Sequence, residues 1–369
     1  MYKTWIELDK KAARHNFQIF RKLIRSESMI WAVVKSNAYG HGLVHFAKIA
    51  DSLGVQGFCV DSVIEGLKLR QEGIKKTILV LGPTRNELLN SAAANDITVS
   101  VSGWEDFKYF LATETKPRFH VKVDTGMHRQ GFMVADLPEF FARLKKNESA
   151  SAALTGIFSH FASAKDINYP SYTEKQFREF EKAVALARAT GFEKIISHIS
   201  ATGGSLLDPQ YHLDAVRIGI GLFGYMPSKE FEIQLPEIKL RPVLSWYALI
   251  SDVKQIKKGE YIGYDLTERV HRDTQVAIIP IGYWHGFAWR LSSKGYTLIG
   301  DKRAPILGRV SMDIIAADVT GTTAAAGSKT TLLSAKYNAY DMARRIGTSH
   351  YEVLTRINPL IKRIIINGD

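Results

Sequence analysis

Disulfides are excluded first: the sequence has one cysteine, Cys59, so no intramolecular bridge can hold the fold, and the chain suits a reducing compartment. No stretch supplies the ~20 consecutive apolar residues that a membrane-spanning helix needs. The opening segment MYKTWIELDKKAARHNF has no apolar core of signal-peptide length. There is no low-complexity segment. Basic residues outnumber acidic ones by 49 to 37, a formal net charge of +12, yet no basic run forms. The densest spots are pairs such as Lys145-Lys146 and Lys257-Lys258, so a dispersed, solvated basic surface is expected rather than a nucleic-acid interface. What remains is a soluble, cytoplasmic protein with no membrane or nucleic-acid partner and no metal site. At 369 residues, 46% hydrophobic and 23% charged, it has room for two domains or for one large barrel with an appendage.

Short β-branched runs alternate with amphipathic stretches from residue 30 onward. Candidate strands are 29–35, 57–60, 77–82, 97–101, 118–124, 154–160, 194–200 and 215–221. Between them, segments such as SVIEGLKLRQEG and EKQFREFEKAVALARATG place apolar residues at helical spacing and stop on glycine. Eight strand-helix units over about 200 residues match a closed parallel (β/α)8 TIM-like barrel better than an open sheet. That architecture puts chemistry at strand C-terminal ends, where Lys35, Lys122, His160 and Ser200 fall. Beyond the prolines at 227 and 236, alternating runs with few long helices predict a mainly antiparallel β domain. The expected division is residues 9–228 for the barrel and 229–369 for the β domain, with the strand-like residues 1–8 joining the latter.

An apolar run that ends on lysine, WAVVK at 31–35, raises the question of what Lys35 is for. A snorkelling lysine at a strand end is the ordinary explanation. A partly desolvated lysine at a barrel mouth is also a candidate nucleophilic amine. The residues that follow complete WAVVKSNAYGHG at 31–42, which strongly resembles the pyridoxal-phosphate lysine signature of the alanine racemase family. The resemblance continues in order along almost the whole chain, through TWIELDKKAARHNF, VKVDTGMHRQGF, FSHFASAKD, HISATGG, VRIGIGLFGY, IGYDLT, IPIGYWHGF, GRVSMD and HYEVL.

The resemblance implies a barrel plus a β domain, pyridoxal 5'-phosphate as cofactor, a small amino acid as substrate, and a homodimer whose active sites are shared between subunits. It makes Lys35 the cofactor anchor and one base, and Tyr264 the base on the opposite face. The cofactor phosphate would meet Tyr39, Thr202, Tyr351 and the backbone N–H groups of Gly219 and Ile220. Arg217 would face the ring nitrogen, Arg129 the ring phenolate oxygen and the substrate carboxylate, and His160 would support the cofactor. Tyr283 and Met312 would line the substrate site, with Asp313 beside them. Lys122 would be carbamylated, an anion that orients Arg129. The implied activity is racemisation of alanine, supplying D-alanine for peptidoglycan. Racemisation of serine, lysine or a broad set of amino acids is the alternative, and a non-catalytic pyridoxal-phosphate-binding protein a further one; the β domain and Tyr264 argue against the latter. Three positions depart from the family pattern: His128 where glycine is common, Ala201 where asparagine is usual, and Lys165 in a place often acidic.

Overall fold

A computed structural model of the chain describes residues 2–164 and 170–368. It divides into two compact units. One comprises Ala13–Ser36 and Phe46–Leu240; the other takes the N-terminal residues through Ala12, Asn37–His45, and the chain from Arg241 onward.

The first unit is a parallel barrel. Its strands are Met29–Val33, Gly57–Val60, Thr77–Val80, Val99–Val101, Phe119–Asp124, Leu154–Phe158, Ile196–His198 and Ala215–Ile218. Six parallel pairings join them into two sheets. Parallel bridges at Leu79–Thr98 and Ala201–Arg217 close the ring. Because helices cover the outside, these strands are buried on both faces and read as continuous apolar runs rather than alternating ones. Every residue of Phe119–Asp124 is buried, the lysine included. Around the barrel, Val63–Gln71 starts at Ser62, whose hydroxyl accepts the Glu65 N–H. Ser171–Ala189 turns Phe177, Phe180, Ala183, Val184 and Ala187 inward at three- and four-residue spacing. Phe180 is fully buried, so Phe180→Ala would cost about 3–5 kcal/mol.

All eight expected strands are present, several of them shorter than expected at the C-terminal end. The first stops at Val33. Val34 still donates to the Cys59 carbonyl at 2.9 Å, but Ser36, Asn37, Ala38 and Tyr39 then take φ values of 56, 57, 50 and 51°. Four successive non-glycine residues in the left-handed region leave the sheet at about 1–2 kcal/mol per residue.

The second unit is built on a nine-stranded, mainly antiparallel sheet. Thr4–Asp9 lies inside it, antiparallel to Leu244–Leu249 and parallel to Lys362–Ile366, with Ile6 opposite both Trp246 and Arg363. Burial alternates along Thr4–Asp9 and Leu244–Leu249, the period-two signature of strands with one covered face. Two short helices follow. Ala339–Ile346 is capped by the Asn338 side chain and ends at Gly347, φ 67°, and His350–Thr355 starts at Ser349.

Candidate active site

In the barrel unit, Lys35 stands two residues past its strand with its Nζ 3.6 Å from Asp61 Oδ1. The Glu65 carboxylate accepts the N–H groups of both Ser36 and Asp61 at 2.8 Å, tying the ends of two neighbouring strands together.

Arg217, on Ala215–Ile218, is 2% exposed. It donates to the carbonyls of Ser159 at 2.8 Å, Ile199 at 2.9 Å and His198 at 3.2 Å. It also donates to Nδ1 of His198, and to Nδ1 of His160 at 3.3 Å. Among the described residues no carboxylate pairs with it. Burial lowers its pKa to about 10, so it stays a cation at neutral pH, satisfied only by neutral acceptors. Its cation reaches the histidines around it. Burial, reinforced by Arg217, drives His160 and His198 well below the usual histidine range and His120 to about 3.

Those neutral rings have determined tautomers. A guanidinium only donates, so Nδ1 of His198 accepts, and its Nε2–H must donate to Nδ1 of His120 at 2.8 Å. Trp31 packs against both rings at 5.0–5.7 Å. Sequence reasoning missed His120 and His198. The available signal was a histidine inside an apolar strand pattern on each of two strands, RFHVKVD and KIISHIS.

Lys122 is 5% exposed and donates to the Val123 carbonyl at 3.1 Å. Burial and then Arg217 lower its pKa to about 7, with Arg129 adding to the fall and Asp124 opposing it. A large share of this amine is therefore neutral at pH 7. Asp124 itself is disfavoured as an anion by burial, but the N–H groups of Gly126 and His128, at 2.8 and 3.0 Å, outweigh that and hold its pKa low. The same two bonds shape the turn that carries Arg129 out to an exposed position. His128 adopts φ 52°, the conformation glycine takes without cost.

Thr202, 3% exposed, opens the short helix Thr202–Leu207. Its hydroxyl accepts from the N–H groups of Gly219 and Gly221 at 3.3 and 3.4 Å. The sequence expectation directs the Gly219 N–H to a phosphate; here it donates to the Thr202 hydroxyl. A Cβ at Gly221 would sit 2.3 Å from Phe20 and 2.8 Å from Thr202. Ala201, as N-cap, makes no side-chain hydrogen bond. Lys165 lies outside the described residues.

The β unit holds the other expected residues. Tyr39 and Tyr351 have ring centroids 6.0 Å apart, and burial followed by Tyr39 pushes the Tyr351 phenol up. Tyr283 donates its N–H to the Ser311 carbonyl and Trp284 donates to that of Met312, both at 3.0 Å, so Tyr283 and Met312 share one loop pair. Gly282 permits this approach; a Cβ there would lie 2.1 Å from the Ser311 oxygen. Tyr264 follows Gly263, φ 76°, and is 68% exposed, with Asp265 beside it forming an ion pair with Arg309 at 2.8 Å.

Comparison with known proteins agrees along the whole chain. The family model described as alanine racemase, N-terminal domain, matches residues 8–227, and that for alanine racemase, C-terminal domain, matches residues 243–365. Alanine racemase of Leptospira interrogans serovar Lai is 34% identical over 382 residues, covering 99% of this chain and 96% of that protein. Alanine racemase of Listeria innocua is 37% identical over 376 residues, covering 99% and 98%. Among solved structures, alanine racemase from Bacillus anthracis with bound L-Ala-P matches with a TM-score of 0.93 at 33% identity, over 100% of this chain and 96% of that one.

Proposed function

Because the chain belongs to the alanine racemase family, we propose that it racemises alanine with pyridoxal phosphate held by the barrel and with Lys35 and Tyr264 as its two bases. It is an isomerase of the alanine racemase type. The supporting observation is Arg217, a buried cation with no acid partner among the described residues and with His160 on its flank.

The residues fit the cofactor by their chemistry. A primary amine stands at a strand end, the Thr202 hydroxyl lies against the Gly219–Gly221 backbone, and a guanidinium without a carboxylate is buried in the same barrel. When bound, pyridoxal phosphate supplies an electron sink that acidifies the Cα–H bond of an amino acid joined to it. Lys35 is the residue that anchors it. Lys35 Nζ and Tyr264 Oη then exchange protons with Cα from opposite faces, so loss on one side and return on the other inverts the centre. Arg217 keeps its proton near pH 7 and would leave a cofactor ring nitrogen held against it unprotonated. Lys122, neutral in large part at pH 7, adds through nitrogen to carbon dioxide, releases one proton and becomes a carbamate anion. The cations Arg217 and Arg129, which now disfavour its ammonium, then favour that anion, and Arg129 is oriented toward a substrate carboxylate.

A homodimer with shared sites belongs to this reading. It is supported by the exposure of Tyr264, Leu266, Trp284, Trp289, Met312 and Ile314 in the β unit, an apolar surface that a partner would cover. The reading also takes residues 9–228 as the cofactor domain and assigns residues 1–8 to the β domain. It places the enzyme in the cytoplasm, making D-alanine for the cell wall; among the described residues no helix is long and apolar enough to cross a membrane.

The test is a panel of L-amino acids, including alanine, serine and lysine, incubated with the enzyme in deuterated water while chirality and Cα–H exchange are followed. Alanine should exchange and racemise fastest. Exchange with no substrate at all would sink the proposal.

A further inference from the structure

His41 of the signature segment has no part in the chemistry above, yet it is completely buried. It follows the left-handed run Ser36–Tyr39 and Gly40, the last with φ 82°. L-residues do not hold such a run unaided. The His41 ring meets it from within: Nδ1 lies 3.0 Å from the Ala38 carbonyl and 3.0 Å from the Tyr39 carbonyl. Carbonyls only accept, so Nδ1 carries the hydrogen and shares it between them. Burial takes the His41 pKa to about 3, so the ring is neutral throughout the working range.

The surrounding β unit holds the same segment from outside. Arg363 Nη2 donates to the Gly40 carbonyl at 2.8 Å. Asn37 closes the turn through its carbonyl, which accepts from Gly42, and its Oδ1, which accepts from Leu43, both at 2.9 Å. Gly40 is pressed so close that a Cβ would lie 2.0 Å from the Leu354 oxygen.

We propose that His41 is a positioning residue: its Nδ1–H, shared by the Ala38 and Tyr39 carbonyls, locks the left-handed turn and thereby fixes the direction of the Tyr39 side chain for the cofactor phosphate. The proposal rests on the reading of Tyr39 as a phosphate contact.

Three full-length variants test it: His41→Leu, which removes the donor; His41→Asn, whose amide nitrogen can take the place of Nδ1; and Ser36→Gly/His41→Leu, in which glycine adopts the positive φ without cost. Dissociation constants are measured for pyridoxal phosphate and for pyridoxal, which lacks the phosphate, together with thermal melting. His41→Leu should weaken pyridoxal phosphate by roughly tenfold, the scale of one lost buried hydrogen bond, and leave pyridoxal unchanged. His41→Asn should stay near the parent, and the added glycine should recover part of the lost melting temperature. In the parent labelled with 15N-histidine, His41 should show the neutral Nδ1–H tautomer from pH 5 to 9. An Nε2–H tautomer, or an asparagine variant as weak as the leucine variant while folded, or no recovery by glycine, would overturn the clamp. Tyr39→Phe addresses the underlying reading separately: an unchanged preference for pyridoxal phosphate over pyridoxal would remove Tyr39 from the phosphate whatever the His41 variants show.

Discussion

The two halves of the expected site differ in how complete they are. In the barrel, Arg217, Lys122 and Thr202 are buried, and each is hydrogen-bonded within its own unit. In the β unit, Tyr264 and Met312 are 68% and 56% exposed. The barrel half is therefore preorganised by its own packing, with cation, histidines and hydroxyl held in place before any ligand arrives. In the β half these side chains stand exposed rather than packed. Under the proposed dimer, one half of the chemistry would be set by folding and the other by association.

The largest test of this contrast removes one base from each half. Lys35→Ala should lower racemisation by more than about 10⁴-fold, since it removes both the proposed anchor and the proposed base, and Tyr264→Phe by about 10²–10⁴-fold. Mixing the two variants under subunit exchange should restore activity, because a mixed dimer can hold one intact site. Continued inactivity with exchange demonstrated would break the contrast, as would a borohydride-fixed pyridoxyl group found on a lysine other than Lys35.

Next comes the barrel's central cation. Arg217→Glu should slow racemisation by about 10²-fold or more and raise the share of keto acid among the products. In a folded, cofactor-loaded variant, a parental rate with no keto acid would take Arg217 away from the ring nitrogen.

Lys122 yields a smaller, pH-dependent effect. Its folded pKa, about 7, lies below the ordinary 10.5, so between those values the unfolded chain binds more protons and stability rises with pH. Below pH 7 the cost of burying the ammonium is present in full. In carbon dioxide-free buffer, the stability of the parent relative to Lys122→Met should climb from pH 7 to 10 with a slope of at most about 1.4 kcal/mol per pH unit. A flat difference would mean that Lys122 is solvated. With 13C-labelled carbon dioxide at pH 7 to 8, a carbamate carbon resonance should appear in the parent and be absent from the variant.

The smallest effect concerns His128. Its φ of 52° carries a left-handed cost that glycine avoids, so His128→Gly should stabilise the fold by about 0.5–1 kcal/mol after the extra unfolded-state entropy of glycine is subtracted. Denaturant melts would measure it; a loss of stability would mean that the exposed His128 ring, 3.8 Å from Asp124, matters more than its backbone.

Much of this protein is determined by sequence alone. Buried apolar runs separated by amphipathic helices specify a parallel sheet covered on both faces, and eight such units in a row favour a closed barrel over an open sheet. The period-two runs after residue 240 dictate the β unit, and the signature around Lys35 names the family. What the tertiary structure decided are properties of neighbours distant in the chain. The low pKa of Lys122 comes from its burial and then from Arg217, 95 positions away, and the tautomers of His198 and His120 follow from that same guanidinium. The left-handed course of Ser36–Tyr39 is invisible to local propensity, which opposes it. Glu65 and Arg363, distant in the chain, supply hydrogen bonds to it that local propensity does not anticipate, and the buried ring of His41 adds its own.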